Sequence, residues 1–86
     1  MYAVELMFGA EPERLAARPK HRERLQRLHA EGQVVLAGPF ADDSGALLIF
    51  DVAEESELDA LLGADPYFET PGVTVVRRRE WTPVVG

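Results

Sequence analysis

The sequence predicts an α+β protein whose elements follow the order β-α-β-β-α-β. The segment from Tyr2 to Phe8 alternates apolar and polar residues, which is typical of a half-buried strand. Two later apolar segments flank Asp42-Asp43-Ser44-Gly45, whose residue types favour a turn and predict a hairpin. Leucines at helical spacing follow the first strand and the hairpin. Since such crossovers are right-handed, both helices should cover one face of a four-stranded antiparallel sheet.

The bulk composition indicates one small globular domain spanning residues 1–86. The chain is 47% hydrophobic and 28% charged, which suits a single modest core. The net charge of -6 argues against nucleic acid as a partner, because phosphate binding needs a basic surface. With no cysteine and two histidines we expect no disulfide, no metal and no cofactor.

The sequence also predicts a cytoplasmic protein with no membrane partner. No apolar run approaches the roughly 20 residues that a membrane-spanning helix needs. The N-terminal segment alternates and carries Glu5, which is unlike a secretory signal.

The first helix is predicted to open at Arg18-Pro19-Lys20-His21, after a polar connector over Gly9 to Arg18. Proline suits the first turn of a helix, where its missing N–H would have no partner anyway. The helix should run to about Glu31, with Gly32 as a left-handed terminator.

His21 falls on the inward face of this helix. It lies four residues before Leu25 and seven before Leu28, so the three side chains project within about 60° of one another. Most of its neighbours are charged and should face water. A helix start would disfavour the charged imidazole, whereas a carboxylate partner would favour it. The second histidine, His29, is interpreted as structural.

The second and third strands are predicted to form the hairpin. Val34 to Ala37 is apolar on both faces and continues through Gly38-Pro39-Phe40. A proline cannot donate to a central ladder, so this strand should lie at a sheet edge. The third strand, Gly45 to Val52, is again apolar on both faces.

The last third of the chain predicts a second helix, a short turn and a final strand. Leu58, Leu61 and Leu62 give the inner stripe of the helix, with Ser56 or a near neighbour as its cap. Asp65-Pro66 has the form of an N-cap followed by a first-turn proline. The final strand should run from Val73 to Trp81.

Strict alternation would place one set of side chains on the same face of the final strand: Val75, Arg77, Arg79 and Trp81. The three consecutive arginines would then alternate sides, which weakens any nucleic-acid patch. We interpret them as protecting an edge strand against aggregation.

This order of elements is the ferredoxin-like arrangement, which leaves one face of the sheet uncovered. Because the second and third strands are apolar on both faces, that face should not meet water. The simplest cover is a second copy packed sheet to sheet with two-fold symmetry. We therefore expect a homodimer through the sheet face, with a monomer as the alternative.

Four motifs resemble those of the YciI-like proteins, a group within the dimeric α+β barrel superfamily, and the similarity covers nearly the whole chain. They are Arg18-Pro19-x-His21, Ala37-Gly38-Pro39-Phe40, Asp65-Pro66-Tyr67-Phe68 and Glu80-Trp81. The resemblance implies a ferredoxin-like protomer, a dimer and a pocket that holds a His–Asp pair, by position His21 and Asp65. Some relatives are enzymes, including a dehydrochlorinase acting on a chlorinated hydroxyquinol, and the superfamily contains muconolactone isomerase.

His21 and Asp65 are therefore the candidate catalytic residues. Imidazole suits proton transfer near neutral pH, and a carboxylate on one ring nitrogen fixes the tautomer and frees the other nitrogen. The alternative interpretation remains open for each residue. Asp65 would serve only as a helix cap, and His21 would bond a backbone carbonyl at the core edge.

Gly38, Pro39 and Phe40 are the candidate substrate-binding residues. A glycine permits close approach of a ligand, and a proline stiffens the wall beside it. The alternative is that both residues only bend an edge strand. The aromatic side chains would line an apolar pocket or belong to the core: Phe40, Tyr67, Phe68 and Trp81.

Two functions are consistent with these features. The first is a small cofactor-free enzyme that transfers a proton on a small organic substrate, such as an aromatic one, by elimination, dehydrochlorination or isomerisation. The second is a non-catalytic homodimeric module that binds a small ligand or a partner protein. An enzyme requires His21 and Asp65 within hydrogen-bond reach beside a solvent-connected pocket.

Overall fold

The computed structural model describes residues 1–86 and has the predicted order of elements. They are β1 (Tyr2–Phe8), α1 (Glu13–Ala30), β2 (Val34–Pro39), β3 (Gly45–Phe50), α2 (Glu55–Gly63), a 3₁₀ turn (Pro66–Glu69) and β4 (Val73–Glu80). The strands form one antiparallel sheet in the order β2-β3-β1-β4. The ferredoxin-like α+β fold is thus confirmed. Neither helix has the length and apolar character needed to cross a membrane.

The hairpin and its edge strand agree with the sequence-based prediction. β2 lies at one edge of the sheet and pairs with β3 alone, so Pro39 leaves no central ladder bond unmade. In the connecting turn Asp43 has a φ of 58°, a left-handed conformation that aspartate tolerates better than most residues. Gly45 opens β3 where a Cβ would overlap the carbonyl oxygen of Leu6, so this close strand pair requires glycine.

The core lies between the sheet and the two helices. Alternate residues of β1 and β3 point into it, and the least exposed side chains include Val4, Leu6, Leu48 and Phe50. Leu58 of α2 packs against them and is fully buried. Burying each such side chain contributes about 1.5–3 kcal/mol, which makes this layer the main source of stability.

The predicted start of α1 was wrong. The helix begins at Glu13, directly after Pro12, and Pro19 lies inside it. An interior proline cannot donate its backbone hydrogen bond, here to the carbonyl of Leu15, and costs about 3 kcal/mol in an isolated helix. The preceding residues are good helix formers and Arg14 is buried, so packing outweighs the local penalty. At the other end the prediction was right, since Gly32 has a φ of 84°.

Ser56 does not cap α2, although a near neighbour holds the N-cap position. The helix begins at Glu55 with Glu54 as its N-cap residue, and no side chain caps it, whereas Ser56 lies within its first turn. Two acidic residues in that turn, Glu55 and Glu57, complement the positive end of the helix dipole instead.

A β-bulge in β4 overturns the predicted alternation of that strand. Arg77 lies opposite Glu5, yet Val75 lies opposite Leu6, so Val76 is an extra residue between two registered pairs. Val75 therefore shares the helix-covered face with Leu6, while Arg77 points to the other side. The bulge also turns Arg78 towards α2, where it pairs with Asp59.

The face of the sheet away from both helices, here called the open face, carries exposed apolar side chains. Leu36 of β2 is 70% exposed, and Met7 and Leu47 from β1 and β3 are also exposed. The hairpin thus presents apolar side chains on the open face as well as to the core, as its sequence predicted.

Candidate functional site

A cavity of about 550 Å³ lies between α1 and the edge strand β2, on the helix-covered side of the sheet. We call it the α1–β2 cavity. Helix α1 contributes Arg14, Arg18, His21 and Arg22 to its wall, and β2 contributes its residues from Val34 to Pro39. Its volume is in the range of small-molecule sites in proteins.

His21 and Asp65 meet beside this cavity, although 44 positions separate them in the chain. The Nδ1–H of His21 donates to Oδ2 of Asp65 over 2.7 Å, and the two residues are only 6% and 4% exposed. The only hydrogen bond of the imidazole within the protein is the one through Nδ1, so Nε2 is left without a partner there, and His21 borders the cavity. This arrangement leaves Nε2 free to exchange a proton with a bound molecule.

Asp65 serves as helix cap and histidine partner at the same time. Its Oδ1 accepts the backbone N–H of Tyr67 at 3.0 Å and so caps the 3₁₀ turn, as Asp65-Pro66 predicted. Its Oδ2 is bound to His21, and Nε of Arg24 lies 3.7 Å from the same oxygen. The two roles that the sequence offered as alternatives use different oxygens of one carboxylate.

Two aromatic rings fix the orientation of the imidazole. The Tyr67 ring stacks on His21 with 3.8 Å between centroids and 7° between planes. The ring of Phe68 meets His21 edge-on at 5.3 Å. Because Asp65, Tyr67 and Phe68 all belong to the 3₁₀ turn or its cap, this turn holds the carboxylate and both rings against α1.

Burial lowers the pKa of His21 below its usual 6.5, despite the opposing hydrogen bond and charge of Asp65. The positive charges of Arg24 and Arg22 lower the pKa further. These effects favour the neutral imidazole, and because Nδ1–H donates to Asp65, the lone pair of that form lies on Nε2. The effect expected of a helix start does not apply, because His21 lies in the middle of α1.

The family model of the YCII-related domain matches residues 2–82. The chain belongs to this family. The match covers the motifs that carried the resemblance to YciI-like proteins, from the His21 helix to Glu80. No curated protein matches the chain.

The substrate-binding residues predicted from the sequence lie at different places in this YCII-related domain. Gly38 and Pro39 border the α1–β2 cavity, whereas Phe40 follows the end of β2 and does not border it. A Cβ at Gly38 would enter open space, so the close approach expected there is not made within the chain. Of the other aromatic candidates, Tyr67 borders the cavity and Trp81 is partly exposed elsewhere.

Sequence reasoning missed Arg14, which the YCII-related domain buries at the cavity wall. Its guanidinium carbon lies 4.2 Å from the centre of the Phe8 ring, and its Nη2 contacts Asp43 at 3.4 Å. The sequence predicts a connector over this segment because Pro19 has the appearance of a helix start. The available signal was spacing, since Arg14 precedes His21 by seven residues and so shares its helix face.

The remaining polar groups do not build a metal site. No group of three or more His, Cys, Asp or Glu side chains is placed to hold a metal ion. Nδ1 of His29 donates to the carbonyl oxygen of Val34 at 2.8 Å, which ties the end of α1 to β2.

Proposed function

We propose that this protein is a small cofactor-free enzyme in which His21 transfers a proton and Asp65 orients it. The observation that supports this proposal is the 2.7 Å hydrogen bond from Nδ1 to Asp65, which leaves Nε2 without a partner in the protein while His21 borders the cavity. A neutral, oriented imidazole beside a cavity has the geometry of a general base.

The reaction class that fits is proton abstraction from carbon on a small organic molecule. Nε2 takes the proton, and Asp65 stabilises the imidazolium that forms. In an elimination the electron pair of the C–H bond forms a double bond, and a leaving group such as chloride departs with its own electron pair. In an isomerisation the imidazolium returns the proton to a different carbon. General acid–base catalysis of this kind contributes about 10²–10⁴-fold to the rate.

Gly38, Pro39 and Phe40 form the proposed substrate-binding segment opposite His21. Gly38 and Pro39 border the same cavity as the imidazole, which supports their assignment. Phe40 is partly exposed just beyond β2, where we propose that it contacts a substrate at the mouth of the cavity.

We also propose a homodimer formed through the open face. The exposed apolar residues there, among them Met7, Leu36 and Leu47, support it because a second copy would remove them from water. Sedimentation velocity measures the assembly directly. Leu36→Glu should convert the dimer to a monomer, and a monomeric wild type would contradict the proposal.

A non-catalytic binding module is the second candidate, and one observation favours it. Asp65 caps its own turn, and the imidazole is packed against two rings, so these contacts would also suit a purely structural histidine. Such a protein would still bind a ligand in the cavity or present the open face to a partner.

Ligand screening by thermal shift on the wild type and His21→Ala in parallel separates these functions. The set contains a chlorinated hydroxyquinol and small lactones, and each stabilising compound is then followed by NMR in D₂O for deuterium uptake or chloride loss. An enzyme predicts turnover by the wild type that His21→Ala loses. Binding by both proteins with no turnover would support the module, and no stabilising compound would contradict the proposed site.

A further inference from the structure

Arg14 is a buried cation whose hydrogen-bonding capacity is mostly unused. The residue is 8% exposed, and its Nε and Nη1 are buried without any hydrogen-bond partner. Only Nη2 has a contact, a long one of 3.4 Å to Asp43. A guanidinium carries five N–H donors in a planar fork, so the protein leaves most of this fork unsatisfied at the cavity wall.

The partner of Arg14 is poorly matched to it. The Asp43 side chain is 55% exposed, and it approaches one nitrogen only. Carboxylates bind arginine best with two parallel bonds of about 2.7–2.9 Å. The ring of Phe8 packs against one face of the guanidinium and holds its plane, but it accepts none of the unpartnered protons.

The charges around the cavity point to an anionic occupant. Arg18 and Arg22 also border it, and Asp43 is the one acidic residue that does. The chain as a whole carries a net charge of -6, so this concentration of positive charge is local to the cavity.

We propose that the α1–β2 cavity binds small organic carboxylates, that Arg14 is the carboxylate-binding residue, and that Asp43 occupies this position in the free protein. An incoming carboxylate displaces Asp43 and bonds Nη2 together with Nε or Nη1. Two helical turns, about 10 Å, separate Arg14 from His21 along α1, so the remainder of the molecule extends towards Nε2. The inference rests on the proposed function only in placing the ligand in the same cavity.

A matched pair of probes tests the inference without any knowledge of the natural substrate. Benzoate and benzamide have nearly the same shape and differ in charge, and NMR titration of the full chain gives both affinities. The wild type should bind benzoate at least about tenfold more tightly than benzamide. Arg14→Gln should remove this preference, and Arg78→Gln, which changes an arginine on the α2 side, should preserve it.

Asp43→Asn tests the displacement with little risk to folding. Asparagine tolerates the left-handed conformation of this turn residue, and the side chain is largely exposed. The variant should bind benzoate several-fold more tightly and benzamide unchanged, because the competing carboxylate is gone. This result stands even where Arg14→Gln fails to fold.

Several results would overturn the inference. Equal affinity for benzoate and benzamide would exclude a carboxylate site but would leave a cavity for the proposed function. Absence of any benzoate binding would exclude the carboxylate site outright. Inorganic phosphate that binds as tightly as benzoate with the same dependence on Arg14 would exclude the preference for organic carboxylates. His21→Ala should keep benzoate binding even as it loses turnover, so failure of catalysis and failure of this inference remain distinguishable.

Discussion

The two helices cover the same sheet but bury different kinds of residue. On the inner face of α1 the buried residues are Arg14, His21 and Leu28. On α2 they are Leu58 and Leu62. The α1 side therefore encloses a cavity with charged walls, whereas Leu58 and Leu62 belong to the hydrophobic core.

Ion pairs in the two halves differ in the same way. Arg78 of β4 pairs with Asp59 and Glu55 of α2, whose carboxylates are largely in water. His21 and Asp65 are almost entirely removed from water. Exposed pairs contribute little to stability, but buried ones shift pKa values and cost free energy to desolvate. Buried titratable groups with shifted pKa values are typical of functional sites, which is why the His21–Asp65 pair is the basis of the proposed function.

The largest expected effect is a loss of turnover on replacing Asp65, which a matched replacement of Asp59 on α2 should not cause. Asp65→Asn keeps the side-chain shape and the cap on Tyr67, but its amide would donate towards Nδ1 and force the proton onto Nε2. The proposed base is then blocked, and kcat/KM should fall by about 10²–10⁴-fold. Asp59→Asn on α2 is the matched control and should leave turnover unchanged. Equal activity of the two variants would contradict the role of Asp65.

The second largest effect is a loss of stability, which should be greater for a leucine of α2 than for a leucine of α1. Leu58→Ala removes a fully buried side chain and should lower the free energy of unfolding by about 2–5 kcal/mol. Leu25→Ala, at the wall of the cavity, should cost less because Leu25 is only partly buried. Urea denaturation measures both values, and a larger loss for Leu25→Ala would reverse the comparison.

A smaller effect appears in the pH dependence of stability. The pKa of His21 in the folded protein lies below the unfolded value of about 6.5. At a pH between the two pKa values the unfolded chain therefore binds more protons than the folded one. Stability should therefore fall as pH decreases from 6.5 towards the folded pKa and recover as pH rises again. Wild type and His21→Gln are compared by urea denaturation across this range. Parallel curves for the two proteins would contradict the lowered pKa.

The smallest effect is expected at the exposed pair of the α2 side. Arg78→Ala should change the free energy of unfolding by about 0.2–1 kcal/mol, because water screens both carboxylate partners. The loss should shrink further at high salt. If Arg78→Ala lowered the free energy of unfolding by more than Leu58→Ala does, the exposed pair would stabilise the protein more than the buried core residue, which would contradict the comparison.

Local patterns predicted the features that depend on neighbouring residues. The alternation of β1, the turn before β3, the terminating Gly32 and the cap at Asp65-Pro66 all follow from short-range geometry, and all appear in the structure. Where packing opposed a local preference, the prediction failed. Pro19 lies inside α1 because the residues before it are buried or helix-forming, and the bulge at Val76 shifts the faces of β4.

The sequence by itself determined the order of elements and the edge position of β2, and its resemblance to the YciI-like proteins predicted that His21 and Asp65 form a pair. Only the tertiary structure decided that Nδ1 of His21 bonds Asp65, that the imidazole prefers its neutral form, and that Arg14 faces the same cavity. The physical reason is that hydrogen bonds and desolvation depend on distances of a few ångströms between segments far apart in the chain. Residue spacing along one helix or strand shows which side chains share a face, as for Arg14 and His21, but not how far they lie from another segment.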